Sequence, residues 1–338
     1  MMDGTPQRDH HRLHDDGGLP RILDFQRFAA ARRSAPRQEH VLATTTWNTV
    51  DLIDLFLTHY QSLGFTRAFV MDFDSNDGSR DILESARWRS YVTRVPFSGL
   101  HSLDSSNILL DAVRTTCGPD AWALFCDPDE LLVTPGMHLD VESMTGFDTD
   151  VSQIVLPRFN VTAPRSVARL QPSRLNASDA LSLRILHRAA RLPERDLLAD
   201  VLEPSWIYTA IPGKVLTRVG STQTIGPGDH EASLLAGKGI PAPSDMYLLH
   251  YPLRSFGEFS QKVAMAAADF AANPDRPPWF GWHQRRWVRL AQAGALYEEY
   301  LQQFVPDDEL ARGLLDGTLQ RDDSIVQART GMKIARAA

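Results

Sequence analysis

Between Val41 and Cys126, short runs rich in β-branched and aromatic residues alternate with longer runs whose apolar residues recur every three or four positions. That alternation leaves few ways to build a core: strands joined by helices pack as a largely parallel sheet with helices on its faces. VLATTT (41–46) reads as the first strand. TVDLIDLFLTHYQSLG follows, with Ile53, Phe56, Leu57, Tyr60 and Leu63 on one side of a helix and Gly64 as its stop signal. AFVMD (68–72) and YVTRV (91–95) read as the next strands, separated by the helical DILESARW (81–88). DSSNILLDAVRTT (104–116) is an amphipathic helix opening on a capping residue, and AWALFC (121–126) is the fourth strand. Further strands are expected at 153–158, 214–219 and 246–251, after which the pattern turns helical. The expected fold is therefore α/β: a single, mostly parallel twisted sheet flanked by helices, with a C-terminal helical extension. Residues 1–38 read as a mostly flexible tail, 39–258 as the sheet domain and 259–338 as the extension.

The chain has 338 residues and a formal charge of -7, which argues against non-specific binding of nucleic acid, since that needs a strongly basic face. Its two cysteines, Cys117 and Cys126, make no disulfide framework, so a reducing, cytoplasmic setting is expected. No run of 18 apolar residues occurs, and no transmembrane segment is expected. RILDFQRFAAARRS (21–34) reads as a basic amphipathic helix, packed on its own domain or lying peripherally on a membrane. His10, His11 and His14 read as part of a solvated tail rather than a metal site.

The segment AWALFCDPDELLV (121–133) carries the most chemistry. An apolar strand runs straight into Asp127, Asp129 and Glu130, three like charges within four residues. A divalent cation resolves that repulsion, and hard carboxylate oxygens suit Mg2+ or Mn2+. A solvated turn at a helix N-terminus is the alternative reading. In α/β sheets ligands bind beyond the carboxyl ends of the strands, which brings this cluster near Asp72, Asp74, Ser75 and Asp77 after the second strand.

This segment resembles the metal-binding D-x-D motif of A-type (GT-A) glycosyltransferases, specifically the family 2-like bacterial enzymes. MDFDSNDGSRDIL (71–83) is similar to their D-N-x-S-x-D-G-T segment, THYQSLGFTRAFVMD (58–72) to the passage before it, and YLLHYPLRSFGEFSQKV (247–263) to a later H-Y-x-x-R-S-x-x-x-F-x-x-K segment. The resemblance covers roughly residues 40–263 and implies transfer of a sugar from a nucleoside diphosphate-sugar to an acceptor hydroxyl, with inversion at the anomeric carbon. It implies that Asp127 and Asp129 hold Mn2+ or Mg2+, with His230 completing the site, and that Asp72, or its neighbour Asp74, receives the nucleoside. Arg254 and Lys214 are the candidates for the diphosphate, and Asp229 and Glu231, with Asp179 behind them, for the catalytic base. Glu130 reads as a structural hydrogen-bonding group. The chain departs from the family after the first strand, where TTTWNTVD offers Trp47 and Asn48 in place of an acidic pair.

Residues 158–195 hold eight arginines, no lysine and two acids, which suits either phosphate or acidic-acceptor recognition or a salt-bridged surface. Trp279, Phe280 and Trp282 read as an acceptor platform or as helix packing. The acceptor is expected to be a glycan, a lipid-linked sugar or a small molecule. A sugar-nucleotide nucleotidylyltransferase and a non-catalytic carbohydrate-binding relative remain as alternatives, the former lacking a glycine-rich triphosphate loop near the N-terminus.

Overall fold

The computed structural model describes residues 39–97, 105–146, 148–170, 183–186, 205–277, 281–322 and 324–325. The tail with its 21–34 helix and His10, His11 and His14, most of the arginine-rich segment including Asp179, and Trp279 and Phe280 lie outside the described residues.

The strands are β1 (His40–Thr46), β2 (Arg67–Asp72), β3 (Val92–Val95), β4 (Trp122–Phe125), β5 (Glu130–Val133), β6 (Val151–Leu156), β7 (Arg158–Thr162), β8 (Leu183–Ile185), β9 (Lys214–Arg218), β10 (Thr222–Ile225), β11 (Ala232–Leu234), β12 (Lys238–Pro241), β13 (Tyr247–His250) and β14 (Leu319–Arg321). The helices are α1 (Ile53–Ser62), α2 (Ser79–Glu84), α3 (Ser105–Thr116), α4 (Val141–Met144), α5 (Arg165–Leu170), α6 (Phe256–Ala272), α7 (Trp282–Gln292), α8 (Leu296–Gln302) and α9 (Asp307–Leu315).

The α/β architecture expected from the alternation is present. A seven-stranded sheet runs in the order β12-β6-β9-β4-β1-β2-β3, and only β9 pairs antiparallel with its neighbours. Its central strands are covered on both sides, which is why β4 (WALF) is apolar at every position and wholly buried. One face packs α1 through Phe56, Leu57 and Tyr60; the other packs α3 through Leu109, Leu110 and Val113.

The strands do not all enter one sheet. A five-stranded sheet, β14-β8-β7-β13-β5, stands apart from the first, and β10 and β11 form a separate pair. The 246–251 segment, read from sequence as one more strand of the single sheet, instead pairs antiparallel with β5 and parallel with β7. The reason lies in the turn at Asp127 to Asp129. The Asp127 carbonyl accepts the Glu130 amide at 3.0 Å, and the chain leaves the first sheet there to start β5 in the second. Tyr60 anchors this corner by donating its hydroxyl to the Glu130 carbonyl at 2.9 Å, and His59 contacts the Leu132 carbonyl at 2.8 Å. A second core, built on Phe259, Trp287, Tyr300 and Phe304, joins the C-terminal helices to β8 and β14.

Candidate active site

The carboxyl ends of β1, β2 and β4 open into a cavity of about 1240 Å3 lined by Thr46, Trp47, Phe73, Asp127 and Asp129, and further along by His250, Arg254, Lys262, Asp269 and Trp282. The three acids that began as an electrostatic puzzle have separate environments here. Glu130 points inward and is fully buried. Its carboxylate accepts the Asp127 amide at 2.9 Å, pairs with Arg158, and lies 3.3 Å from Lys214 Nζ. Burial raises its pKa despite the lowering influence of Lys214 and Arg158. It is the structural group the sequence suggested.

Asp127 faces the cavity with its side chain 45% exposed and receives Lys214 Nζ at 2.9 Å. The same ammonium donates to the Gly228 carbonyl at 2.9 Å and lies 3.8 Å from Asp229. Lys214 is wholly buried; burial disfavours its charge, but Asp127, Glu130 and Asp229 outweigh this and raise its pKa. Burial works upward on Asp127 as well, and Lys214 more than offsets it, so the carboxyl sits below its usual value.

Asp129 is held from the other side. Lys262 of α6 donates to its Oδ2 at 2.8 Å, Arg254 Nη1 lies 3.9 Å away, and His250 Nε2 is 3.8 Å from Oδ1. Burial works upward, but Lys262 and Arg254 outweigh it and hold the carboxyl well below the usual range. Arg254 is oriented by Asp51 at 2.8 Å and Glu258 at 3.4 Å. His250 stands opposite Glu130 in the β5/β13 ladder. Asn160 gives its amide nitrogen to the Ile207 carbonyl at 2.8 Å, so its oxygen faces His250 Nδ1 at 2.8 Å. Burial lowers the imidazole pKa to about 3; in the neutral ring Nδ1 carries the hydrogen and Nε2 is left as an acceptor.

His230 lines the cavity, but its Nδ1 is committed to the Gly213 carbonyl at 2.9 Å, and burial lowers its pKa to about 4. Among the described residues no three His, Cys, Asp or Glu side chains come together as a metal-holding group. Asp127, Asp129 and His230, the shell the resemblance implies, all line the cavity, and Lys214 and Lys262 stand beside the two carboxylates.

Asp72 and Asp74 do not line the cavity. The Asp72 carboxylate is turned inward, accepting the Ser75 amide at 3.2 Å and Arg80 Nε at 3.1 Å, and exposed Asp74 shares the same arginine at 3.0 Å. Phe73 and Trp47 line the wall instead. Their loops are locked together: the Asn48 amide donates to Ser75 Oγ at 2.9 Å, Asn48 and Asn76 exchange bonds at 3.0 and 2.9 Å, and the Thr49 amide donates to Ser79 Oγ at 2.9 Å. These bonds hold Asn48 at φ 49° and Asp74 at φ 58°, in the left-handed region where non-glycine residues are uncommon.

The two candidates for a base also sit off the cavity wall. Asp229 accepts the Ser106 hydroxyl and faces Lys214, with burial raising its pKa, and Glu231 is exposed. Sequence reading overlooked His250, Lys262 and Asp269. The first two fall inside the YLLHYPLRSFGEFSQKV stretch, and Asp269 follows Lys262 by seven residues on one helical face.

No family model and no curated protein matches the chain. Solved structures with a likeness to it include S. aureus TarS, at 12% identity and a TM-score of 0.35 over 76% of this chain and 43% of that one. S. aureus TarS 1-349 in complex with UDP-GlcNAc aligns over 86% of this chain and 81% of that one, at 12% identity and a TM-score of 0.35. GalNAc-T7 with UDP, GalNAc and Mn2+ aligns over 86% and 56%, at 10% identity and a TM-score of 0.38. This chain spans less than half of the first TarS chain. No helix among the described residues is long and apolar enough to cross a membrane.

Proposed function

We propose that the protein transfers a sugar from a nucleoside diphosphate-sugar to an acceptor hydroxyl. One observation carries the reading: the aspartates of the D-P-D turn line a large cavity at the carboxyl ends of parallel strands, where nucleotides bind in such sheets. The nucleoside lies toward Trp47 and Phe73, and the diphosphate toward Asp127 and Asp129. Asp72 acts at one remove, by holding the loop that presents Phe73.

The donor chemistry suits a hard divalent cation: two carboxylates on one cavity wall, as Mg2+ or Mn2+ takes when phosphate oxygens supply the remaining ligands. Asp127 and Asp129 would hold it, and when bound it would supply Lewis-acid stabilisation to a leaving diphosphate. The chain adds its own positive groups. Lys262 and Arg254 stand beside Asp129, and the neutral His250 presents Nε2 toward that carboxylate. Lys214 keeps Asp127 ionised and fixed. As the glycosidic C–O bond breaks, charge gathers on the diphosphate, and preorganised cations stabilise that state without reorganising.

Incubation with UDP-, GDP- and dTDP-sugars in the presence of Mn2+ tests this. Release of nucleoside diphosphate is expected. Pyrophosphate release from a nucleoside triphosphate and a sugar phosphate would instead identify a nucleotidylyltransferase, and absence of both reactions and of nucleotide binding would leave a non-catalytic relative.

A further inference from the structure

Three acidic side chains line the cavity among the described residues: Asp127, Asp129 and Asp269. The first two belong to the donor side. Asp269 takes no part there, yet its position is set by the same helix that serves it. Lys262, Met265, Ala266 and Asp269 fall at i, i+3, i+4 and i+7 of α6, and all four line the cavity, so one stripe of the helix forms its wall. Lys262 marks the donor end through its 2.8 Å bond to Asp129. At 1.5 Å per residue, the backbone of Asp269 lies about 10 Å farther along the wall.

The aromatic wall of the cavity is Trp206, Trp282, His283 and Trp287: Trp206 stands 6.4 Å from His250, His283 stacks on Trp206 at 5.3 Å with an interplanar angle of 27°, and Gly281, next to Trp282, lies against Phe270, the residue after Asp269, so the wall runs from the donor end toward Asp269. Burial lowers the His283 pKa to about 4, so this ring is neutral at pH 7. Asp269 is oriented by Arg276 at 2.7 Å on Oδ2 and by the Asn273 amide nitrogen at 3.1 Å on Oδ1, and its side chain stays 20% exposed. A fixed carboxylate on an aromatic wall suits a ring that presents apolar faces and hydroxyl edges.

We propose that this half of the cavity is the acceptor subsite, that it takes a hydroxyl-bearing sugar ring, and that Asp269 is the general base. The proposal rests on the glycosyl-transfer reading above and replaces Asp229 and Glu231, neither of which lines the cavity. In the step, an Asp269 oxygen accepts the acceptor hydroxyl proton as the hydroxyl oxygen bonds to the anomeric carbon. The bond from that carbon to the diphosphate oxygen breaks, its electron pair leaves with the diphosphate, and Asp269 later returns its proton to water. Inversion requires the base across the ring from the leaving group.

The test uses the full chain with Mn2+, UDP-glucose, UDP-N-acetylglucosamine and GDP-mannose, following donor hydrolysis by water and transfer to para-nitrophenyl glycosides. Calorimetry gives the UDP and GDP affinities, and NMR the product anomer. Asp269→Asn is expected to lower turnover by about 100-fold or more, the usual contribution of a general base, with nucleotide affinity changed less than twofold. Asp269→Glu is expected to regain part of the loss, and the product is expected to be inverted. Turnover of Asp269→Asn within threefold of wild type, an equal loss of nucleotide affinity, or a retained anomer overturns the proposal while leaving glycosyl transfer standing. A wild-type chain that binds no nucleotide, or binds it without hydrolysis or transfer, overturns both.

Discussion

Replacing Lys214 by methionine tests the electrostatic frame of the site, because the side chain keeps its volume and loses its charge. In the native protein Lys214 is fully buried and serves Asp127 at 2.9 Å, Glu130 at 3.3 Å and the Gly228 carbonyl at 2.9 Å. The Asp127 contribution is discounted, since that side chain is 45% exposed and water screens it. Glu130 decides the magnitude: its side chain is 0% exposed and would keep only Arg158 and the Asp127 amide. Removing one partner of a buried pair costs about 3–5 kcal/mol, and the lower end applies here because Arg158 remains and Glu130 can take a proton. For a chain of 338 residues, with an unfolding entropy of about 0.7 kcal/mol/K, a loss of about 3 kcal/mol lowers Tm by roughly 4 °C. The pH dependence has a definite sign. Burial already raises the Glu130 pKa above its ordinary value, and losing Lys214 raises it further. The proton-bound form then stabilises the fold at low pH, and that stability is lost as pH rises through the folded pKa. Lys214→Met is therefore expected to be closer to wild type at pH 5 than at pH 8 in urea titrations, and adding Glu130→Gln should recover most of the loss. A cost under about 1 kcal/mol, or a double variant no more stable than the single one, would refute the reasoning.

Asp127→Asn and Asp129→Asn are each expected to cut nucleoside diphosphate release by about 100-fold or more while near-UV circular dichroism stays native; activity close to wild type in either would remove the aspartates from the chemistry. Asp72→Asn weakens the charge-assisted contact with Arg80 and is expected to cost about 1–3 kcal/mol and to weaken UDP binding more than it slows turnover, as separate KM and kcat values would reveal. Burial lowers the His283 pKa to about 4, so its contribution to stability is present above the unfolded value near 6.5 and is lost as pH falls toward 4. Urea midpoints of His283→Gln should accordingly decline less than wild type across that interval, and identical slopes would contradict the buried neutral ring.

The sequence made the first sheet legible because its strands are apolar on both faces and its helices keep a regular apolar stripe. β1, β2, β4, α1 and α3 fall within a few residues of their expected positions. The second sheet was hidden. β5 is only ELLV, it begins immediately after a turn, and nothing local says that its partner is His250 rather than a strand of the first sheet. At the site, the D-P-D turn was readable because charge at the end of a buried strand demands compensation. Its compensators were not, since Lys262 and Arg158 reach the turn from 133 and 28 residues away in sequence. Asp72 looked exposed to a ligand because it ends a strand; the structure turns it onto Arg80 and leaves Phe73 facing the cavity. Trp47, marked in the sequence as a departure from an acidic pattern, turns out to line the cavity wall in its own right.

A crystal structure of the protein with Mn2+ and whichever of UDP, GDP or dTDP binds most tightly tests the central claim directly. The account predicts a diphosphate seated against Asp127 and Asp129 and a nucleoside between that turn and Trp47. A nucleotide bound away from the cavity, or Asp127 and Asp129 still closed on Lys214 and Lys262 with no ion or phosphate between them, would contradict it.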